Sequence, residues 1–130
     1  MAVNMEKLED LNRLLVKTYG LVGKVEQSAM HNGPYHDLSM TEVHTLEAVG
    51  AEAPRFMSEI AADLEITVPT LTVSIRRLIQ KGYVCRRRCT DDRRVVWVEL
   101  TEKGIKAKRM HDFFHRNMLK AVMRQFAEEE

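Results

Sequence analysis

Residues 67–88 read TVPTLTVSIRRLIQKGYVCRRR. Thr67 is a good helix N-cap, and Val68 and Pro69 take the first turn, where a missing N–H does no harm. The helix is expected to continue to about Lys81, and Gly82 ends it. At about 100° per residue, Leu71, Ile75, Leu78 and Ile79 share one arc while Thr70, Val73, Arg76, Arg77 and Gln80 share the opposite one. The inner arc is apolar; the outer is polar and basic.

Residues 83–88 (YVCRRR) and 94–100 (RVVWVEL) are rich in β-branched or aromatic residues and read as two strands, joined by the polar turn Thr90-Asp91-Asp92-Arg93. This is a basic hairpin. Residues 76–94 hold eight Lys/Arg against Asp91 and Asp92, a local charge of +6 in a chain whose net charge is only +1. The excess is a local electrostatic device and not a generally sticky surface.

Upstream, Leu8, Leu11, Leu15, Tyr19, Val22, Val25 and Ala29 recur at three-and-four spacing, which predicts a long amphipathic helix over residues 6–30. His31-Asn32-Gly33-Pro34-Tyr35 stops it. Ser39-Met40-Thr41-Glu42 has capping-box spacing, so a second helix should run from there to Gly50, with Pro54 closing the connection. A short third helix is expected at about residues 57–64, and Glu65-Ile66 makes the turn into Thr67. Downstream, Thr101 caps a last helix whose Ile105, Met110, Phe113, Phe114, Met118, Ala121, Val122 and Phe126 spread over a broad apolar surface. Such a surface on a terminal helix suggests a partner chain. Three carboxylates, Glu128-Glu129-Glu130, oppose the dipole at its C-terminus. That helix is expected to fray there or to belong to a longer chain.

With 130 residues, 45% hydrophobic and 30% charged, the chain reads as one soluble globular domain. No apolar run approaches the roughly 20 residues of a membrane span, and the acidic stretch Met5-Glu6-Lys7-Leu8-Glu9-Asp10 is unlike a signal peptide. No membrane contact and a cytoplasmic location are expected. Cys85 and Cys89, four apart on a strand, would stand about 13 Å from each other at ~3.3 Å per residue. A disulfide needs Cα atoms within about 7 Å, so the two neither bridge nor share a metal. No phosphate-binding glycine loop, nucleophile elbow or open ligand cluster argues for an enzyme.

A short helix, a tight turn and a second helix with a basic outer face match a helix-turn-helix, and the arginine hairpin completes a winged helix. The fold class is therefore mainly α, an α+β winged helix-turn-helix of about five or six helices with a two-stranded β-wing. Arg76 and Arg77 can make bidentate bonds to guanine, and Thr70 can meet a base edge or a thymine methyl, with Val73 beside it. Thr67 and Thr72 suit phosphates. Arg86, Arg87 and Arg88 are candidate backbone contacts, and Arg93 and Arg94, oriented by Asp92, can enter a minor groove. Duplex DNA is the expected partner. Without this context the arginines would be an ordinary solvated strand edge. A winged helix used only for protein interaction is the rival reading from another class.

Three segments carry a family resemblance: Thr67-Val68-Pro69-Thr70-Leu71-Thr72, Leu78-Ile79-Gln80-Lys81-Gly82-Tyr83-Val84, and Asp92-Arg93-Arg94 leading into Leu100-Thr101-Glu102-Lys103-Gly104. In order and spacing they resemble the MarR family of bacterial transcriptional regulators. The resemblance implies one domain over residues 1–130, with residues 38–101 as the DNA-binding part and residues 4–31 and 102–130 as dimerisation helices. It also implies a homodimer on a pseudo-palindromic operator, acting as a ligand-controlled repressor that requires no cofactor. Family members carry a further C-terminal helix in the dimer interface, which is not seen before Glu130.

Two branches of that family compete. Ser39-Met40-Thr41-Glu42-Val43-His44-Thr45, Asp92-Arg93-Arg94-Val95-Val96 and Met110-His111-Asp112-Phe113-Phe114-His115 are similar to repressors of fatty-acid biosynthesis. Those use acyl-acyl carrier protein as co-repressor, so that partner or a small apolar ligand is expected. The alternative is a zinc-responsive repressor of metal-uptake genes. His111 and His115 stand one helical turn apart, a spacing at which two imidazoles can share zinc. His44 and Glu26 resemble, in position, the remaining ligands of that branch. Histidines that merely hydrogen-bond across helix contacts would show the same pattern.

Overall fold

The computed structural model describes residues 4–88, 91–92 and 94–128. Cys89, Thr90 and Arg93, expected at the wing turn, lie outside these residues, as do the side chains of Val122 and Phe126. The chain divides into two compact units, the first ending at Leu38 and the second beginning at Ser39.

The first unit is built on α1 (Met5–Asn32), whose N-cap Asn4 accepts from the backbone N–H groups of Glu6 and Lys7. Leu8, Leu11, Leu15, Tyr19 and Val25 of the expected stripe are all exposed, and so are Leu14, Val16 and Leu21. The amphipathic helix forms, yet its apolar residues remain uncovered.

The second unit runs α2 (Met40–Val49), β1 (Arg55–Phe56), α3 (Met57–Leu64), α4 (Val68–Gln80), β2 (Val84–Arg88), β3 (Val96–Leu100) and α5 (Glu102–Glu128). That makes five helices among the described residues. Ser39 caps α2 through a full capping box with Glu42, and Thr67 caps α4 by accepting from the Thr70 N–H. Both starts follow from the caps. Between α3 and α4, Glu65 adopts the left-handed conformation at φ 56° and ψ 41°. The N–H groups of Glu65 and Ile66 donate to Ala62 and Ala61, which satisfies the last carbonyls of α3 and makes the tight turn.

The expected two-stranded wing forms from β2 and β3, and β1 joins it to make a larger sheet. It has three antiparallel strands in the order β1-β3-β2, with Phe56 opposite Trp97 and Val84 opposite Leu100. Phe56 stacks on Trp97 with ring centroids 3.8 Å apart, which anchors the two-residue strand before α3. A strand that short has no period to read in the sequence.

Leu46 and Val49 of α2, Ile60 of α3, Leu71, Ile75 and Leu78 of α4, Tyr83, and Val98 of β3 are almost completely buried and form one core. The Thr45 and Ser74 hydroxyls, 3.3 Å apart, join α2 to α4 inside it. At its edge, the Glu42 Oε1 accepts from the Ser39 backbone N–H at 3.1 Å and from the Lys81 Nζ at 2.8 Å. Burial pushes the Glu42 carboxyl up, but the bonds from Lys81 and Ser39 outweigh it and hold it below the usual carboxylate range.

The end of α4 is clamped from the other side by the start of α5. The Thr101 Oγ1 donates to the Gly82 carbonyl at 2.6 Å, the Thr101 N–H to the Tyr83 carbonyl, and the Lys103 Nζ to the Lys81 carbonyl. The Lys103 ammonium also sits 4.3 Å from the Tyr83 ring centroid. Gly82 has φ +86°, and a Cβ on Gly104 would collide with the Tyr83 carbonyl oxygen.

Gly104→Ala is therefore expected to lose about 1–3 kcal/mol in urea unfolding, because backbone on both sides must shift. A midpoint equal to that of the native chain would contradict the clamp. Glu42→Gln should cost about 1–3 kcal/mol at neutral pH. The folded carboxyl is lowered, so its contribution is present above the unfolded pKa and lost as pH falls through the folded one. Urea midpoints of the native chain and of Glu42→Gln should thus converge on acidification, and a gap unchanged at pH 3 would refute the assignment.

Candidate nucleic-acid interface

α4 presents the side chains expected of a recognition helix. Thr70, Val73, Arg76, Arg77 and Gln80 are all exposed, while Leu71, Ile75 and Leu78 hold the helix against the core. Arg76 and Arg77 form no ion pair among the described residues, so both guanidinium groups face solvent with their donors available. The threonines are more constrained. The Thr67 and Thr70 hydroxyls share a hydrogen bond of 2.9 Å, and the Thr72 hydroxyl donates to the Val68 carbonyl.

The wing places its arginines on two faces, because side chains alternate along a strand. Cys85 and Arg87 share one face with Glu99 of β3. The Arg87 Nε lies 3.5 Å from the Glu99 Oε1, and the Cys85 Sγ donates to the same oxygen. Burial, then the charge of Glu99, pushes the Cys85 thiol up, so it stays protonated and unreactive. Arg86 and Arg88 occupy the other face, exposed. Beyond β2, the Asp92 carboxylate accepts from the Arg94 backbone N–H at 3.0 Å and lies 3.5 Å from the Arg94 Nε. Asp92 thus orients one of the two tip arginines. Arg93, the other, is outside the described residues.

The histidines expected as ligands lie on two helices. His44 is exposed on α2, and His111 and His115 lie on α5 with ring centroids 4.5 Å apart. Glu26 is on α1, in the first unit. Two residues not anticipated from sequence join His111. The Glu47 Oε1 meets the His111 Nδ1 at 2.5 Å, and ligand atoms of Glu47, His111 and Asp112 lie within 4.8 Å of one another. The hydrogen bond from His111 lowers the Glu47 carboxyl, against burial, and the charges of His111, His44 and His115 add to the effect. The Lys108 Nζ lies 2.7 Å from the Asp112 Oδ2. The only sequence hint of Glu47 is its place one turn after His44, because its partner is far along the chain.

Among the described residues, no helix is long and apolar enough to cross a membrane. Comparison with known proteins bears on the rest. The chain is 28% identical over 102 residues to the HTH-type transcriptional regulator YhjH of Bacillus subtilis, a match covering 78% of this chain and 58% of that protein. The chain thus spans little more than half the length of that relative. It is 30% identical over 96 residues to the transcriptional regulator ZitR of Lactococcus lactis subsp. cremoris, covering 72% of this chain and 66% of that one. Among solved structures, Streptococcus pneumoniae FabT in complex with DNA superposes with a TM-score of 0.85 at 31% identity, covering 90% of this chain and 82% of FabT. These relatives are regulators and not enzymes. Residues 33–110, more than half of the chain, match the family described as transcriptional regulator SarA/Rot, so the chain belongs to that family of MarR-like winged-helix transcriptional regulators.

Proposed function

We propose that this regulator binds a pseudo-palindromic duplex operator as a homodimer and acts in the cytoplasm as a repressor. The observation that carries this reading is the exposed arc of α4, with Arg76 and Arg77 unpaired among the described residues, next to a wing carrying Arg86, Arg88 and Arg94. Local charge of +6 over residues 76–94 would displace condensed counterions from a duplex. The solved FabT complex with DNA, similar over most of both chains, supports it. Residues 38–101 then form the DNA-binding part of one domain over residues 1–130. Thr67, Thr72, Arg86, Arg87 and Arg88 contact the backbone, Thr70, Val73, Arg76 and Arg77 the major groove, and Asp92, Arg93 and Arg94 the wing tip.

The homodimer uses the helices of residues 4–31 and 102–130. Support comes from the exposed apolar residues on α1 and from Met110, Phe113, Leu119 and Met123 on α5, too many for a monomer to leave in water. As co-repressor we favour acyl-acyl carrier protein, on the likeness of the Ser39–Thr45, Asp92–Val96 and Met110–His115 segments to repressors of fatty-acid biosynthesis.

A second reading rests on the Glu47, His111 and Asp112 cluster, whose nitrogen and oxygen donors suit zinc. The fit is conditional, since zinc would displace the His111 contact with Glu47 and the Lys108 contact with Asp112. His44 and His115 stand near enough to Glu47 to influence its charge. Such a site would make the regulator zinc-responsive.

Fluorescence anisotropy on an operator selected from genomic fragments tests the main reading. Log K should fall steeply with log salt, and Arg88→Ala should reduce the slope by about one phosphate while leaving base preference intact. Arg76→Ala should cost about 1–3 kcal/mol and relax the preference at one base pair. Absence of specific retention with or without acyl-acyl carrier protein or zinc, or identical effects of both substitutions on every operator variant, would refute the assignment. For the second reading, calorimetry should give micromolar zinc uptake that is lost in His111→Ala; no uptake by the native chain removes it.

A further inference from the structure

The recognition helix carries an apolar side chain on its outward face. Leu71, Ile75 and Leu78 on the inner face of α4 are each 0% exposed, whereas Val73 on the opposite face is 50% exposed. At the helical step, Pro69, Val73, Arg76 and Gln80 fall within an arc of about 60°. Val73 sits inside that outward arc. A β-branched residue weakens a helix slightly, and here it adds nothing to the core. Its neighbours outside are cations that form no ion pair among the described residues.

The nearby threonine hydroxyls are partly engaged within the helix. Thr67 accepts from the Thr70 N–H and shares a hydrogen bond with the Thr70 hydroxyl, while Thr72 donates back to the Val68 carbonyl. Among the outward side chains of the first two turns Pro69 and Val73 are apolar, the threonines add methyl groups, and Arg76 and Arg77 follow on the next turn. Val68, 41% exposed, and Ile66, 37% exposed, extend the apolar patch toward the turn. An apolar protein partner would have to approach a flank carrying +6 over residues 76–94, whereas a duplex has both the charge to match that flank and an apolar group to match the patch. In the major groove that group is the C5 methyl of thymine, which no other base carries.

We propose that Val73 is a specificity-determining residue that reads a thymine methyl once in each half-site. The proposal rests on the duplex-DNA reading above and adds to it the base feature that is read. The arginines supply affinity and a guanine preference one helical turn further on, and Val73 supplies a preference for thymine at the position the first two turns face. A cytosine or uracil there offers no methyl and leaves the valine against a polar edge.

The test uses the full chain. An operator is selected from a pool of random duplexes, and each of its thymines is then replaced singly by deoxyuridine, which removes the C5 methyl and keeps the base pair. Affinities are measured for the native chain and for Val73→Ala, a change on an exposed helix face toward a better helix former. For the native chain, one thymine in each half-site should cost about fourfold on replacement, the value of burying one methyl. In Val73→Ala that replacement should cost nothing, while all others behave as in the native chain. If an operator is selected but every deoxyuridine is neutral, or the loss is equal in both proteins, Val73 does not read a methyl and DNA binding stands. If no sequence is enriched, the duplex-DNA reading itself falls and this inference with it. If the alanine variant folds poorly, Val73→Ser is measured in its place, with the same expected loss of the methyl effect.

Discussion

The Glu42 carboxylate, almost buried at the start of α2, receives the Lys81 ammonium from the end of α4. With Ser39 bonded to the same oxygen, one group both starts a helix and holds the far end of another. Removing Lys81 would leave the Glu42 carboxylate buried without its cation, which is far more costly than never having had the pair. The Lys81 carbonyl in turn accepts from Lys103, and the adjacent Gly82 and Tyr83 carbonyls accept from Thr101. Four elements, α2, α4, β2 and α5, therefore meet on three consecutive residues. The direction in which α4 points, and the place where the wing starts, are set there.

That junction separates two kinds of surface. On one side lies the closed core, from Leu46 to Val98. On the other, α4 and the wing project arginines whose only ion-pair partners among the described residues are Glu99 beside Arg87 and Asp92 beside Arg94. Charges left unpaired on a rigid frame are organised for a polyanion before it arrives, so binding need not order them. The apolar residues of α1 and α5 are a separate matter, exposed in the single chain.

Much of this was legible because it is local. Ser39, Thr67 and Thr101 mark helix starts through their own hydroxyls, and the arcs of α4 follow from helical geometry, so the starts of α2, α4 and α5 and the buried set Leu71, Ile75 and Leu78 could be read directly. What escaped was long-range. β1 exists only because Phe56 finds Trp97 across the sheet, and two residues carry no period of their own. Glu47 was missed because its partner His111 lies on a different helix. The three wing arginines read as one run, yet the pleat sends Arg87 to Glu99 and leaves Arg86 and Arg88 on the other face. Val73 was legible as an exposed residue on the outer arc of α4.

If α4 and the wing meet duplex DNA, backbone amide NMR shifts of the labelled chain, titrated with its selected operator, change chiefly in residues 67–77 and 84–96, with α2 and α3 shifting only where they touch α4. Shifts confined to α1 or to the second half of α5, with residues 67–77 unmoved at saturation, would contradict that reading.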